Sequence, residues 1–261
     1  MNVVRRRYPA LVFVAIAMTA SAVFAASERR APPPGAFAGA PAEYTRFTPA
    51  ELSRGFLALA FGSDLRIGGH SNVIRRFTHP VRVRVITGGA VPRADAYKRV
   101  LADFVRQVPA LRVSVDDETQ PADITVRLID EAHFFDAMVA AFGRATARAF
   151  VKKTNPQCMT SVNSTADGAI AGVESFIIVD QGEDVFLDCA YHETLHMFGL
   201  SNHDQHNPWT TLNQKRMVGY LTVYDRMLLS ILYDPRIEPG MTQEQVRAVL
   251  PAVIADLEQS R

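Results

Sequence analysis

Two histidines and a glutamate at residues 192–196 are spaced for metal chemistry, because the segment reads His-Glu-Thr-Leu-His. On a helix, His192 and His196 lie one turn apart, about 5.4 Å along the axis, so both imidazoles can bind one metal ion. Glu193 lies about 100° around the helix, from where it reaches a water on the metal. Zinc in such a site lowers the pKa of water to about 7. The spacing therefore predicts a Zn²⁺ site in which Glu193 is the general base for hydrolysis.

The spacing works only if the segment is helical, and its flanking residues favour a helix. Asp184, preceded by Gly182, is the expected N-cap. Gly199 stands where the end of a helix often requires a positive φ. We therefore expect a helix over residues 184–199 whose histidine face lines a cleft.

Residues 192–199 (HETLHMFG) resemble the zincin metallopeptidases, and Gly199 matches the metzincin pattern H-E-x-x-H-x-x-G-x-x-H. The last position of that pattern is Asn202 here, and a neutral amide is a poor zinc ligand. His203, one residue later, is the expected third ligand, with Asp204 as the alternative. The resemblance implies a zincin-like fold, zinc as cofactor and hydrolysis of peptide bonds in a peptide or protein substrate.

Several short stretches carry a narrower resemblance, which covers most of residues 45–255: 56–63 (FLALAFGS), Cys189, 199–202 (GLSN), 224–225 (YD) and 232–235 (LYDP). They resemble a bacterial secreted family of unknown function, domain of unknown function 2927, in which some members have lost the histidines of this helix. A non-catalytic, zincin-like binding protein of the cell envelope is therefore the second hypothesis. A metal-dependent amidase acting on peptidoglycan or other non-peptide amides is the third.

Four other side chains are candidates for roles around the metal. Tyr224 is a candidate catalytic residue that could stabilise a tetrahedral oxyanion, and so is Tyr220, although a structural hydrogen bond is the alternative for both. Asp188, one turn before His192, either orients that histidine or interacts with the helix dipole. Met217 either lies beneath the metal or packs in the core.

The N-terminus has the pattern of a secretory signal peptide, with three arginines before an apolar run that ends in small residues. We expect residues 1–25 to be cleaved, which makes the protein periplasmic or secreted, without stable membrane insertion. An uncleaved N-terminal membrane anchor is the alternative. Residues 26–43, rich in Pro, Ala and Gly, are the expected linker, and residues 44–261 are expected to form one domain.

Charge and cysteine content narrow the function further. The chain has 28 Lys and Arg against 27 Asp and Glu in 261 residues, and this balance argues against nucleic-acid binding. Cys158 and Cys189 are the only cysteines. An oxidising compartment favours a disulfide between them over two free thiols.

Hydrophobic periodicity predicts an α+β fold with a small mixed β-sheet lobe and a mostly helical C-terminal lobe. We expect strands at 80–87, 111–115, 124–128 and 175–179, and helices at 48–61, from 92 to about 108, 131–142, 184–199, 222–233 and 242–258.

Overall fold

The computed structural model describes residues 29–62, 72–115, 121–154 and 156–259. Seven helices and seven strands lie in these ranges and confirm the α+β class. The helices are α1 (Pro49–Ala60), α2 (Ala94–Gln107), α3 (Glu131–Phe142), α4 (Arg144–Thr154), α5 (Glu183–Met197), α6 (Val223–Leu232) and α7 (Gln243–Gln259). The strands are β1 (Arg29–Arg30), β2 (Glu43–Tyr44), β3 (Val81–Thr87), β4 (Val113–Val115), β5 (Ile124–Ile129), β6 (Cys158–Ser164) and β7 (Ile170–Ile178).

A five-stranded mixed sheet with the order β4-β3-β5-β7-β6 is the framework of the fold. The strands β4, β3, β5 and β7 are parallel to their neighbours, and β6 pairs antiparallel with β7. Since β6 is the last strand of this order, no strand in the described residues pairs with its other edge, which we call the open edge. The sequence CMTSVNS of β6 is polar and without clear alternation, so hydrophobic periodicity did not predict this strand.

The two faces of the sheet belong to different apolar clusters, because successive strand residues point to opposite faces. On β7, Val173 and Ile177 join the main core, which also contains α1, α2, α5, α6 and α7. Phe176 and Ile178 join a smaller cluster formed with α3 and α4. The helix α5 packs against β6 and β7, and it therefore lies beside the open edge of the sheet.

Local sequence signals define the ends of several helices. At α1, Glu51 N donates to Thr48 Oγ1 while Glu51 Oε2 accepts from Thr48 N at 2.8 Å, as the predicted capping box requires. At α7, Thr242 and Gln245 exchange the corresponding bonds. At α5 the N-cap is Gly182 rather than the expected Asp184, because the chain enters this helix with φ +108°.

Residues 26–43 are the predicted linker, and their described part, 29–43, lies against the domain. Strand β1 pairs with β2, and the buried Glu43 carboxylate accepts from Val223 N at 2.7 Å. Phe37 approaches Gly219 so closely that an added Cβ at Gly219 would meet the ring at 2.5 Å. These contacts extend the folded region towards residue 29. The predicted signal peptide, residues 1–25, lies outside the described residues, and within the described ranges we find no helix with the length and apolar character needed to span a membrane.

Candidate metal centre

The helix α5 carries the His-Glu-Thr-Leu-His segment through the interior of the protein. It is buried along most of its length, and it ends at Met197. The turn that follows requires Gly199, which has φ +108°. A Cβ at Gly199 would also meet Arg75 O at 2.1 Å, so the backbone of residue 75 lies directly against this turn. The helix is therefore followed at once by a tight change of direction that returns residues 200–203 to its histidine face.

Three imidazoles converge at this point. The Nε2 atoms of His192 and His203 are 3.0 Å apart, those of His192 and His196 are 3.1 Å apart, and those of His196 and His203 are 3.1 Å apart. Together the three histidines form a group close enough to hold one metal ion. The loop after Gly199 thus brings His203, one residue beyond the expected position of the pattern, to the other two rings.

The neighbours of His203 point elsewhere. Asn202 Nδ2 donates to Ala58 O at 3.0 Å, which keeps the amide against α1. Asp204, the alternative ligand in the sequence analysis, accepts from His206 N through Oδ1 at 3.0 Å. Asp204 does not belong to the group of possible ligands, which in the described residues consists of His192, His196 and His203.

Backbone carbonyls fix the orientation of two of the rings. His192 Nδ1 lies 3.0 Å from Thr211 O, and His196 Nδ1 lies 2.6 Å from Leu200 O. A carbonyl oxygen can only accept, so each Nδ1 carries the proton and each Nε2 presents a lone pair. Carbonyl partners of this kind are usual around metal-binding histidines.

The donor set fits a divalent ion of the zinc type. With Zn–N near 2.0–2.1 Å, tetrahedral geometry places ligand nitrogens about 3.3 Å apart, close to the spacing of the three Nε2 atoms. Burial, together with the charge of His203, lowers the pKa of His192 to about 3. Burial also lowers the pKa of His196 well below its usual range. The imidazoles of His192 and His196 are therefore neutral near pH 7, as metal ligation requires.

Glu193 is buried beside the three rings, with 4% of its surface exposed. Its Oε2 atom has no hydrogen-bond partner, which is costly for a buried carboxylate oxygen. Burial raises the pKa of Glu193 to about 8 and the charge of Asp188 adds to the rise, while the Thr160 hydroxyl on β6 opposes it. A carboxyl group with a pKa near neutrality and an unused oxygen is suited to accept and return a proton.

A buried network holds the carbonyl that orients His192. The Asp225 carboxylate accepts from Thr210 Oγ1 at 2.5 Å, from Thr211 N at 2.8 Å and from Thr222 Oγ1 at 2.9 Å. Asp225 is fully buried, and burial raises its pKa. Sequence reasoning did not assign this role, although Thr222-Val-Tyr-Asp225 has the spacing of a helix N-cap.

Three supporting candidates make hydrogen bonds with the backbone. The Tyr224 hydroxyl donates to Glu51 O at 3.0 Å and the side chain is 1% exposed, so the structure places it in the core rather than in the cavity at the histidines. Tyr220 likewise donates its hydroxyl to Pro41 O at 2.8 Å. Asp188 accepts from Val218 N at 2.6 Å, so its carboxylate fixes a loop and does not orient a histidine.

Met217 is 42% exposed and lines the cavity. It is therefore not a core residue, because residues 213–217 form part of the rim and leave its side chain open to solvent.

A cavity of about 790 Å³ opens onto the three histidines and Glu193. The strand β6 and the helix α5 form its walls, and α3 and α4 contribute apolar side chains beyond the sheet edge, including Met138, Phe142 and Phe150. The predicted disulfide between Cys158 and Cys189 is confirmed, with an S–S distance of 2.08 Å and a Cα–Cα distance of 5.8 Å. This bond joins β6 to α5 and holds the two walls of the cavity together.

Comparison with known proteins identifies a family and leaves the activity open. A family model described as "Protein of unknown function (DUF2927)" matches residues 49–252, which include the three histidines and Glu193. No curated protein and no solved structure matches the chain.

Proposed function

The chain belongs to the DUF2927 family, whose function is unknown, and we propose from the chemistry of the site that it is a zinc-dependent metallopeptidase. One observation carries the proposal: the Nε2 atoms of three imidazoles converge within 3.1 Å of one another, beside a buried glutamate oxygen without a partner in the described residues, at the wall of an open cavity. The H-E-x-x-H spacing and its resemblance to zincins support the same chemistry.

Each residue of the site has a distinct task. His192, His196 and His203 would hold the zinc ion, and the carbonyls of Thr211 and Leu200 keep two of the rings in the required tautomer. Zinc bound at this position would lower the pKa of a water molecule and polarise the substrate carbonyl.

Glu193 moves the proton during the reaction. Its Oε2 accepts a proton from water as the water attacks the peptide carbonyl, and then donates that proton to the amine nitrogen that leaves. The raised pKa of Glu193 favours this return step, because a carboxyl group that holds a proton near pH 7 is also an effective acid.

A peptide substrate agrees with the shape of the cavity. β6 lines the cavity with its residues 158–162, and it is the last strand of the sheet. An extended peptide can add to an open strand edge through main-chain hydrogen bonds. The apolar side chains of α3 and α4 would then receive a substrate side chain, which favours peptides over small polar amides.

Export from the cytoplasm is part of the proposal. A disulfide joins Cys158 and Cys189, and such bonds persist in oxidising compartments such as the bacterial periplasm. This agrees with the signal peptide expected over residues 1–25 and supports action on peptides outside the cytoplasm.

The experiment compares the mature protein with two variants in a screen of fluorogenic peptides. Glu193→Gln should retain bound zinc but lose hydrolysis by about 100- to 10,000-fold, the usual contribution of general acid–base catalysis. Glu183→Gln, which removes an exposed acid from the first turn of the same helix, is the matched control and should retain activity.

Two results would contradict the proposal. Undiminished hydrolysis by Glu193→Gln would exclude this residue as the base. A zinc-loaded wild-type protein that cleaves no member of a diverse peptide library, but binds some of them, would favour the non-catalytic envelope-binding function instead.

A further inference from the structure

The backbone that carries Arg75 is held firmly beside the histidine cluster. Ile74 N donates to Met241 O at 2.9 Å, and Ile74 O accepts from Gly240 N at 2.9 Å. Arg76 donates from its guanidinium to Leu232 O, Asp234 O and Ile237 O, at 2.9, 2.9 and 2.6 Å. The carbonyl of Arg75 itself lies against the turn at Gly199. The direction in which the Arg75 side chain leaves the backbone is therefore fixed.

The two neighbouring arginines are used differently. Arg76 donates its guanidinium hydrogens to backbone carbonyls at the end of α6 and in the turn that follows. Arg75 lines the cavity, is half-buried, and makes no side-chain hydrogen bond or ion pair with any residue that the structure describes. Arg75 lines the same cavity as the three histidines, and its backbone lies against the turn at Gly199, three residues after His196.

A half-buried guanidinium that has no partner among the described residues is unusual, because partial removal from water has a cost that an anion normally offsets. The acids of the cavity do not meet this need. Asp188 accepts from the backbone of Val218 and Gly219, and Glu193 is buried against the histidines. An anion that belongs to the substrate would complete the site.

The other two cationic side chains that line the cavity, Arg216 and Lys215, are less suited to bind an anion beside the histidines. Arg216 donates to Pro208 O at 2.7 Å, and Lys215 is exposed at the rim. Arg75 is therefore the cation best placed to select a substrate group next to the scissile bond.

We propose that Arg75 is a specificity residue that binds a carboxylate of the substrate beside the metal, so the protein acts on acidic peptides. This inference rests on the proposed function, since it assigns a substrate class to the same cavity. The planar guanidinium presents its N–H groups in a fork that matches the two oxygens of a carboxylate. The carboxylate has two possible sources, the free C-terminus of a peptide or the side chain of Asp or Glu.

The test measures binding by the zinc-loaded Glu193→Gln protein, which keeps peptides intact. Four otherwise identical fluorescent peptides separate the two sources: one with a free C-terminus, its C-terminal amide, one with an internal Glu and its Gln counterpart. We expect one carboxylate peptide to bind about 10- to 100-fold more tightly than its neutral counterpart, the range of a charge-assisted bidentate pair. The member of the pair that shows this preference identifies the source.

Variants then assign the preference to Arg75. Added to Glu193→Gln, Arg75→Gln should abolish the preference while leaving zinc content and thermal unfolding unchanged, and Arg75→Lys should retain part of it. Lys215→Gln removes the same charge from an exposed residue of the same cavity and should leave the preference intact.

Three results would overturn the inference. These are equal affinity for the carboxylate and neutral peptides, an equal loss of preference in Lys215→Gln, and an Arg75→Gln protein that keeps the full preference. Because binding is measured without turnover, the two proposals fail separately: if Glu193→Gln discriminates between the peptides but the zinc-loaded wild type hydrolyses none of them, the proposed function is contradicted and the role of Arg75 stands.

Discussion

Replacement of Asp225 by Asn should weaken zinc binding without touching any zinc ligand. The Asp225 carboxylate accepts from Thr211 N at 2.8 Å, and Thr211 O in turn holds His192 Nδ1 at 3.0 Å. The substituted amide has one oxygen instead of two, so either the bond from Thr210 Oγ1 to Oδ1 or the bonds from Thr211 N and Thr222 Oγ1 to Oδ2 are lost. The backbone around Thr211 would then be free to shift, and His192 would lose its fixed orientation.

The structure sets the expected magnitudes. Charge-assisted hydrogen bonds contribute about 1.5–3 kcal/mol each. Burial raises the pKa of Asp225, which shows that its charge has a cost in the folded state, and the neutral amide removes this cost. We therefore expect a net loss of about 1–3 kcal/mol in the free energy of unfolding of the metal-free protein. Loss of the hydrogen bonds that hold the carbonyl of Thr211 against His192 should weaken zinc affinity by about 10- to 100-fold.

Two assays separate these effects. Urea unfolding of the metal-free protein measures stability, and competition with a chelator of known affinity measures zinc binding. Asp204→Asn is the control, because Asp204 lies in the same loop region but contacts His206 N instead of Thr211. Asp225→Asn with reduced stability but wild-type zinc affinity would refute the reasoning. An equal loss of zinc affinity in Asp204→Asn would restore Asp204 as a ligand candidate.

Three further changes should affect stability. Gly55→Ala should destabilise the fold by about 1–3 kcal/mol, because its Cβ would lie 1.7 Å from the Tyr224 hydroxyl oxygen in the core. Replacing both Cys158 and Cys189 by Ser should cost about 3–4 kcal/mol in urea unfolding, since their bond closes a loop with a sequence separation of 31. Burial raises the pKa of Asp188 from 3.8 to about 6, so wild-type stability relative to Asp188→Asn should fall by about 2–3 kcal/mol between pH 4 and 6 and then level off.

The sign of the Asp188 effect follows from proton uptake. Between the two pKa values the folded protein holds a proton that the unfolded chain has released, so raising the pH favours unfolding. A relative stability that rises over this range would contradict the burial of Asp188.

Matched measurements test the other two changes. An added Cβ at Gly172 meets nothing within 4 Å, so Gly172→Ala should unfold much like the wild type. A Gly55→Ala protein as stable as Gly172→Ala would show that the core adapts around Tyr224. For the disulfide, a double serine variant that unfolds like the oxidised wild type would contradict the chain-entropy argument.

Local patterns allowed much of the fold to be predicted from sequence. The capping box at Thr48 and Glu51 defined α1, alternation of valines defined β3, and the apolar stripe beginning at Tyr97 defined α2. These signals lie within a few residues of one another, so they require no knowledge of the rest of the chain. The helical spacing of His192 and His196 belongs to the same class of signal.

Features that depend on distant contacts could not be predicted. The polar strand β6 exists because it pairs with β7 and is bonded to α5 through Cys158. The buried position of Asp225 beneath Thr211, and the position of Arg75 in the wall of the cavity, arise from segments far from the motif in sequence. Tyr224 illustrates the opposite case, since its residue type suggested catalysis while its environment is that of a core side chain.

Zinc content is the most direct test of the central idea, that His192, His196 and His203 together hold one metal ion. Mass spectrometry of purified mature protein, reconstituted with zinc and freed of excess metal, should give one zinc per chain. His203→Ala should lose it, whereas His206→Ala, which removes an exposed histidine from the same loop, should retain it. Wild-type protein without stoichiometric zinc, or a His203→Ala protein with unchanged zinc content and affinity, would contradict the three-histidine site.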